Sequence, residues 1–127
     1  MQRRLAVAVL SATLFAAPAR AETVLAHDVF FTLQDGSKEA RERLVAACKK
    51  YLAGQEGTVY FAVGTRGEEF ARDVNDREFD VALHIHFKDR AAHDKYQQDP
   101  RHLQFIEEQR ESWKQVRVFD SWVERRP

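Results

Sequence analysis

Residues 78–88, EFDVALHIHFK, constrain the fold most, because apolar and polar side chains alternate along them. Since a β-strand sends successive side chains to opposite faces, this stretch predicts a strand with one apolar face. That face consists of Val81, Leu83, Ile85 and Phe87, and the opposite face of Asp80, Ala82, His84 and His86. The apolar face requires a cover from elsewhere in the chain.

The remaining patterned segments supply three further strands and helices that can cover the sheet. Residues 24–33, 57–65 and 116–123 are rich in β-branched and aromatic residues and are predicted strands. A helix begins after the N-cap Ser37 and ends at Gly54. A second helix runs from the cap Asp89 to residue 98, and Asp99-Pro100 starts a third. Residues 66–77 are polar and predict a solvated loop. Within it, the alternating arginines and acids of residues 72–77 are expected to pair with one another; the alternative is a cation on the acidic oxygens.

This order is β-α-β-β-α-β, with the second helical region split at Pro100, and it predicts an α+β, ferredoxin-like fold. Such a fold has a four-stranded antiparallel sheet with helices on one face only. Whichever face of the sheet the helices cover, apolar side chains remain on the other face. These are either Phe30, Tyr60 and Ala82 or their neighbours Phe31, Phe61 and Leu83. An exposed apolar sheet face of that size is usually buried against a second molecule, so we expect a homodimer in which the two sheets pack face to face.

Composition excludes several classes of protein. The 127 residues carry 20 basic and 20 acidic side chains, without the basic excess that a nucleic-acid binder uses to neutralise phosphates. The single cysteine, Cys48, cannot form an intramolecular disulfide or a cysteine-based zinc site. We expect it buried on a helix face; an intermolecular disulfide is the alternative.

The first 21 residues have the form of a secretory signal peptide. A charged start, MQRR, precedes an apolar run over residues 5–17, and Ala19 and Ala21 fit the specificity of signal peptidase. The run is shorter than the about 20 residues of a membrane span. We therefore predict cleavage after Ala21, export to the periplasm or medium, one domain over residues 22–127 and no membrane association of the mature form. The alternative is an uncleaved N-terminal anchor.

The predicted strands place three of the histidines on different faces of the sheet. His27 shares a face with Val29 and Phe31, so we expect it inside the protomer, either lining a pocket or as a core histidine bonded to a backbone carbonyl. His84 and His86 lie on the opposite, dimer-facing side and have no evident third ligand, so no metal site and no cofactor are predicted. His93 is expected to be exposed on the short helix.

The Asp99-Pro100 break allows Tyr96 and His102 to face one cavity. His102 begins a largely apolar helical stripe with Ile106, Gln109 and Trp113, and Phe105 lies beside it. The helix N-terminus disfavours imidazolium, and a neutral imidazole can act as a general base. The alternative is that Tyr96 and Trp113 only fill the core.

The segment YQQDPRH, residues 96–102, fits a Tyr-x-x-x-Pro-x-His pattern. Together with HDVFFTL (27–33), FDVALHIHFKDRAAHDKY (79–96) and VFDSWV (118–123), it resembles the stress-responsive dimeric α/β-barrel (Dabb) family, and more distantly the plant olivetolic acid cyclase. The resemblance implies a barrel of two ferredoxin-like protomers. It also implies His102 as a proton-abstracting base, Tyr96 as the donor that orients a substrate carbonyl, and His27 and Trp113 as pocket residues. Val81 stands where the cyclase has a further histidine.

Three functions remain open. We favour an exported dimer that binds a small, partly apolar molecule at His27, Tyr96, His102 and Trp113. The rival is a cyclase or lyase that uses His102 as base and Tyr96 as hydrogen-bond donor. The third is a structural dimer with a fully packed interior and no ligand.

Overall fold

A computed structural model describes residues 7–14 and 22–126. Four strands and three helices follow in the predicted order: β1 (Glu22–Leu33), α1 (Lys38–Leu52), β2 (Thr58–Thr65), β3 (Val81–Phe87), α2 (Arg90–Gln98), α3 (Pro100–Gln109) and β4 (Trp113–Arg125). A single 3₁₀ turn, Arg110–Ser112, joins α3 to β4. The α+β prediction is confirmed.

The strands form one antiparallel sheet in the order β2-β3-β1-β4. This is the ferredoxin-like topology, in which the two central strands come from the two β-α-β halves. Helices cover one face. On β3 the residues Val81, Leu83, Ile85 and Phe87 are buried beneath them, as the alternation predicted.

Local sequence signals set the helix ends. The Ser37 side chain accepts the Ala40 backbone N–H and begins α1, and the chain leaves this helix through Gly54, whose φ is +74°. The Asp89 side chain begins α2 in the same way, by accepting the Ala92 N–H. The Asp99 side chain accepts the Arg101 N–H and begins α3, whose first residue is Pro100.

The core lies between the covered sheet face and the helices. Leu44, Cys48 and Leu52 of α1 are buried against it with Phe105 of α3. Cys48 is fully buried, and desolvation raises the pKa of its thiol to about 12. Cys48 is therefore a small apolar core residue in this protomer.

The last strand begins earlier than its sequence pattern indicated. β4 starts at Trp113 rather than residue 116 and is 13 residues long. Its partner β1 is also long, and the two pair from Glu22 opposite Arg125 to Leu33 opposite Trp113. The stripe predicted on α3 therefore ends at Gln109, and Trp113 belongs to the sheet.

The predicted signal segment, residues 1–21, lies outside the described residues except for 7–14, which have no regular secondary structure. The predicted cleavage position after Ala21 also lies outside them. Within the described ranges, none of the helices has both the length and the apolar character needed to cross a bilayer.

Candidate functional site

A pocket of about 180 Å³ lies between the sheet and the helices. Its walls are mainly aliphatic and aromatic side chains from β1, β3, β4 and all three helices. All four residues singled out in the sequence line it, namely His27, Tyr96, His102 and Trp113. The structure brings them together; their role in binding a ligand stays a prediction.

The break between α2 and α3 lets a phenol and an imidazole face each other. Tyr96 lies near the end of α2 and His102 in the first turn of α3. Their ring centroids are 4.5 Å apart with the planes inclined at 49°. The Asp99 side chain holds the junction, accepting the Arg101 N–H at 2.8 Å and the Gln55 amide at 3.3 Å.

His102 has one ring nitrogen occupied and one open. Its Nδ1 lies 3.2 Å from the Gln97 carbonyl oxygen, which can only accept, so Nδ1 carries the proton in the neutral ring. Nε2 then has a free lone pair. Burial lowers the pKa of His102 below its usual 6.5, although the Gln97 carbonyl opposes this by favouring the protonated ring. The neutral form, which can accept a proton at Nε2, is therefore favoured.

Tyr96 is a buried hydroxyl donor. The residue is 2% exposed, and desolvation raises the pKa of the phenol above its usual value of 10. The ring packs against Phe87 at a centroid distance of 5.0 Å. A phenol in this environment stays protonated at neutral pH and can donate to an oxygen in the pocket.

Trp113 reaches the pocket from the first position of β4, not from a helix. The predicted helical stripe was wrong at this residue, because the chain passes through the 3₁₀ turn before it. The indole still lines the same cavity, between Phe31 at 5.3 Å and Phe105 at 5.8 Å. Its Nε1–H is buried and has no hydrogen-bond partner within the described residues. Such a group is costly to leave unpaired.

His27 is bonded to a carboxylate rather than a backbone carbonyl. Its Nδ1 lies 2.6 Å from Oδ1 of Asp120, which stands opposite it on β4. Its ring is 5.1 Å from His93 and 6.0 Å from Tyr96. The expectation that His93 is exposed was wrong: its side chain is only 17% accessible, because α2 turns it toward Phe87 and His27.

Sequence reasoning therefore missed two polar groups beside the pocket, His93 and Asp120. A signal for each existed. His93 precedes Tyr96 by three residues, which puts both on one face of α2. Asp120 alternates with Val118 and Val116 on the pocket side of β4.

Among residues 7–14 and 22–126, no helix covers the other sheet face. It carries Phe30, Tyr60 and Ala82, one of the two sets that the sequence left open. Phe30 stacks edge-on with Phe79 at 5.1 Å and with Phe119 at 5.8 Å. These rings border a concavity of about 420 Å³. We call this surface the open face.

His84 also lies on the open face, where its Nδ1 is 2.6 Å from Oδ1 of Asp28. This pair has the same atoms and separation as the pair of His27 and Asp120, on the opposite side of the sheet. In the loop before β3, Asp76 pairs with Arg117 at 2.8 Å and Glu68 with Arg66 at 3.1 Å. The partner of Asp76 is therefore on β4, and Arg77 pairs with Glu68 at 3.4 Å, so both residues find their ion-pair partners outside residues 72–77.

Solved structures share this fold. A Dabb family protein of Mesorhizobium loti with a ferredoxin-like fold superposes with a TM-score of 0.65 at 20% identity, covering 79% of this chain and 96% of its own. A dimeric ferredoxin-like protein of Thermobifida fusca gives 0.66 at 14% identity, over 80% and 92%. The hydroxynitrile lyase of Passiflora edulis gives 0.64 at 18%, over 79% and 92%.

No curated protein matches the sequence significantly. The model of the stress responsive A/B barrel domain family (Dabb) matches residues 25–123, which include all of β2 and β3 and most of β1 and β4. The pattern across residues 96–102 that suggested the family lies inside this match. The chain therefore belongs to the stress-responsive A/B barrel domain family.

Proposed function

We propose that this protein is an exported homodimer that binds a small, partly apolar molecule with a hydrogen-bond-accepting group, such as a carbonyl oxygen. The observation that carries the proposal is the pocket that brings the Tyr96 phenol and the His102 imidazole together among apolar walls. An apolar cavity with a few convergent polar groups is the usual form of a small-molecule site.

The size of the pocket limits the ligand. Its volume of about 180 Å³ is below the roughly 300–1,000 Å³ of sites for drug-sized ligands. A cavity of about 150 Å³ is sufficient for benzene. The ligand is therefore a molecule with one small ring or a short branched chain.

The polar side chains of the pocket limit the chemistry of the ligand. The hydroxyl of Tyr96 is a neutral donor, so the ligand must offer an acceptor rather than a positive charge. A neutral His102 offers an acceptor at Nε2. A ketone or an aldehyde attached to an apolar body matches this arrangement.

The homodimer follows from the open face. Phe119 and Tyr60 are 50% and 48% exposed there, and a second copy of the sheet is an apolar surface of matching shape and twist. The dimeric relatives from Thermobifida fusca and Jannaschia support this occupant. Export is proposed from the signal-like sequence of residues 1–21.

A matched pair of probes tests the binding site. Acetophenone and ethylbenzene have nearly the same shape, but only acetophenone carries an acceptor. We expect both to cause saturable NMR shifts at pocket residues, with acetophenone binding about 2–10-fold more tightly, the worth of one hydrogen bond. Tyr96→Phe should reduce that preference, and Leu103→Ala, a change on the exposed side of α3, should not. Absence of saturable pocket shifts for both probes contradicts the proposal.

One geometric feature favours a catalytic alternative, a lyase or cyclase. The 4.5 Å separation of the Tyr96 and His102 rings lets both act on one carbonyl compound. Nε2 of His102 would take the proton from the carbon next to the carbonyl, and the electron pair of that C–H bond would move onto the oxygen. The Tyr96 hydroxyl would stabilise the resulting enolate by donating to it. The Passiflora relative is itself a lyase by name.

Hydrogen–deuterium exchange separates the two functions without knowledge of the natural substrate. In D₂O, an enzyme of this kind should exchange the methyl protons of acetophenone faster than buffer does, and His102→Gln should abolish the excess. Leu103→Ala again serves as the control. Binding without excess exchange refutes the catalytic alternative and leaves the binding function standing.

A further inference from the structure

Three side chains with metal-binding atoms converge beside the pocket, from three different elements. One ring nitrogen of His27 (β1), one of His93 (α2) and one carboxylate oxygen of Asp120 (β4) all lie within 4.8 Å of one another. Ligand atoms on a metal at bond lengths of about 2.0–2.2 Å are roughly 3 Å apart. Small side-chain rotations are therefore enough to bring the three atoms onto one ion.

The burial of the three groups suits a bound ion. His27 is 5% exposed in a central strand, and the His93 side chain is packed against Phe87 at a ring distance of 5.5 Å. Gln97 lies one turn further along α2, with its side-chain amide 3.2 Å from His93 Nε2. The Asp120 side chain is 44% exposed, so it can rotate and give an ion a path from solvent.

The alternative is a plain histidine–carboxylate hydrogen bond, and the chain contains one for comparison. His84 and Asp28 on the open face have the same 2.6 Å contact. In the described part of the chain, the group of His27, His93 and Asp120 is the only one that gathers three or more such ligands. The second imidazole, 5.1 Å from the first, is what distinguishes this cluster from a pair.

We propose that His27, His93 and Asp120 bind a divalent transition-metal ion of the zinc type. Two imidazoles and one carboxylate are a ligand set for Zn²⁺ and Fe²⁺, and three protein ligands leave a coordination position for water or a small ligand. The Tyr96 ring, 6.0 Å from His27, borders the cluster on its pocket side. The sequence predicted no metal here, because the three ligands are far apart in the chain. The inference does not rest on the proposed function.

The test is metal binding by untagged, full-length protein after treatment with EDTA. Zn²⁺ is titrated by calorimetry, and Co²⁺ is added separately for its visible spectrum. We expect one Zn²⁺ per chain and the intense bands of a four- or five-coordinate cobalt complex. Asp120→Asn and His93→Ala should each raise the Kd for Zn²⁺ at least about tenfold, as loss of a ligand requires.

Asp28→Asn is the matched control, since it makes the same change in the pair that lacks a third ligand. It should bind Zn²⁺ as the parent does. Failure of the parent to bind one ion, or equal loss in Asp28→Asn and Asp120→Asn, overturns the inference. If Asp120→Asn does not fold, the test uses His93→Ala, a change on the short helix α2. An unchanged Zn²⁺ affinity in that variant would also contradict the inference. Acetophenone binding by the EDTA-treated protein shows separately whether the proposed function holds.

Discussion

Replacing Phe119 with lysine should break the homodimer. Phe119 is 50% exposed on the open face and packs against Phe30. A phenylalanine side chain presents about 200 Å², so a partner sheet would cover roughly 100 Å² of this ring, worth about 2.5 kcal/mol at 25 cal/mol per Å². A two-fold interface contains the residue twice. If half of the combined stabilisation from the two copies is realised, about 2.5 kcal/mol, the dimer Kd should rise roughly 70-fold.

Val118→Lys is the control for this experiment. Val118 is the next residue on β4, has the same 50% exposure and points to the opposite, pocket side of the sheet. Sedimentation velocity across a concentration series measures both variants and the parent. We expect a dimeric parent, a dimeric Val118→Lys and a largely monomeric Phe119→Lys. Equal dissociation of the two variants, or a monomeric parent, would refute the assignment of the open face as the interface.

Three further predictions concern single residues. Because the pKa of His102 is lowered from 6.5 in the folded state, the unfolded chain takes up this proton first as the pH falls. The free energy of unfolding should therefore decrease as the pH drops below about 6.5. Urea titrations at several pH values should show a smaller pH dependence for His102→Gln, and an unchanged dependence would contradict the burial of this ring. Cys48, with its pKa of about 12, should react with Ellman's reagent only on unfolding, and fast reaction of native protein would be inconsistent with its position. Asp99→Ala removes the α3 cap and should cost about 1 kcal/mol of unfolding free energy, whereas no change by thermal or urea denaturation would argue against the cap.

The sequence predicted the fold well because its elements are marked by local signals. Strict alternation fixed the buried face of β3, and the capping residues Ser37, Asp89 and Asp99 marked where helices begin. The break at Pro100 is likewise a local effect, since proline is favoured in the first turn of a helix. Each of these signals acts within a few residues, and a single chain displays them directly.

The predictions that were wrong concern residues whose positions depend on contacts between distant segments of the chain. Trp113 was predicted on α3 because its spacing fitted a helix, yet pairing with Leu33 draws it into β4. His93 was expected to be exposed on the short helix, yet Phe87 of β3 and His27 of β1 lie against it. The alternation along β4 could have placed Asp120 on the pocket side, but its pairing with His27 depends on the register between β1 and β4.

The central claim is that the pocket beside Tyr96 and His102, not the larger concavity on the open face, holds the ligand. A crystal structure of the protein with acetophenone tests it most directly. We expect the aromatic ring among the apolar walls and the ketone oxygen within hydrogen-bonding distance of the Tyr96 hydroxyl. Acetophenone bound instead between Phe30, Phe79 and Phe119, with the pocket unchanged, would contradict it.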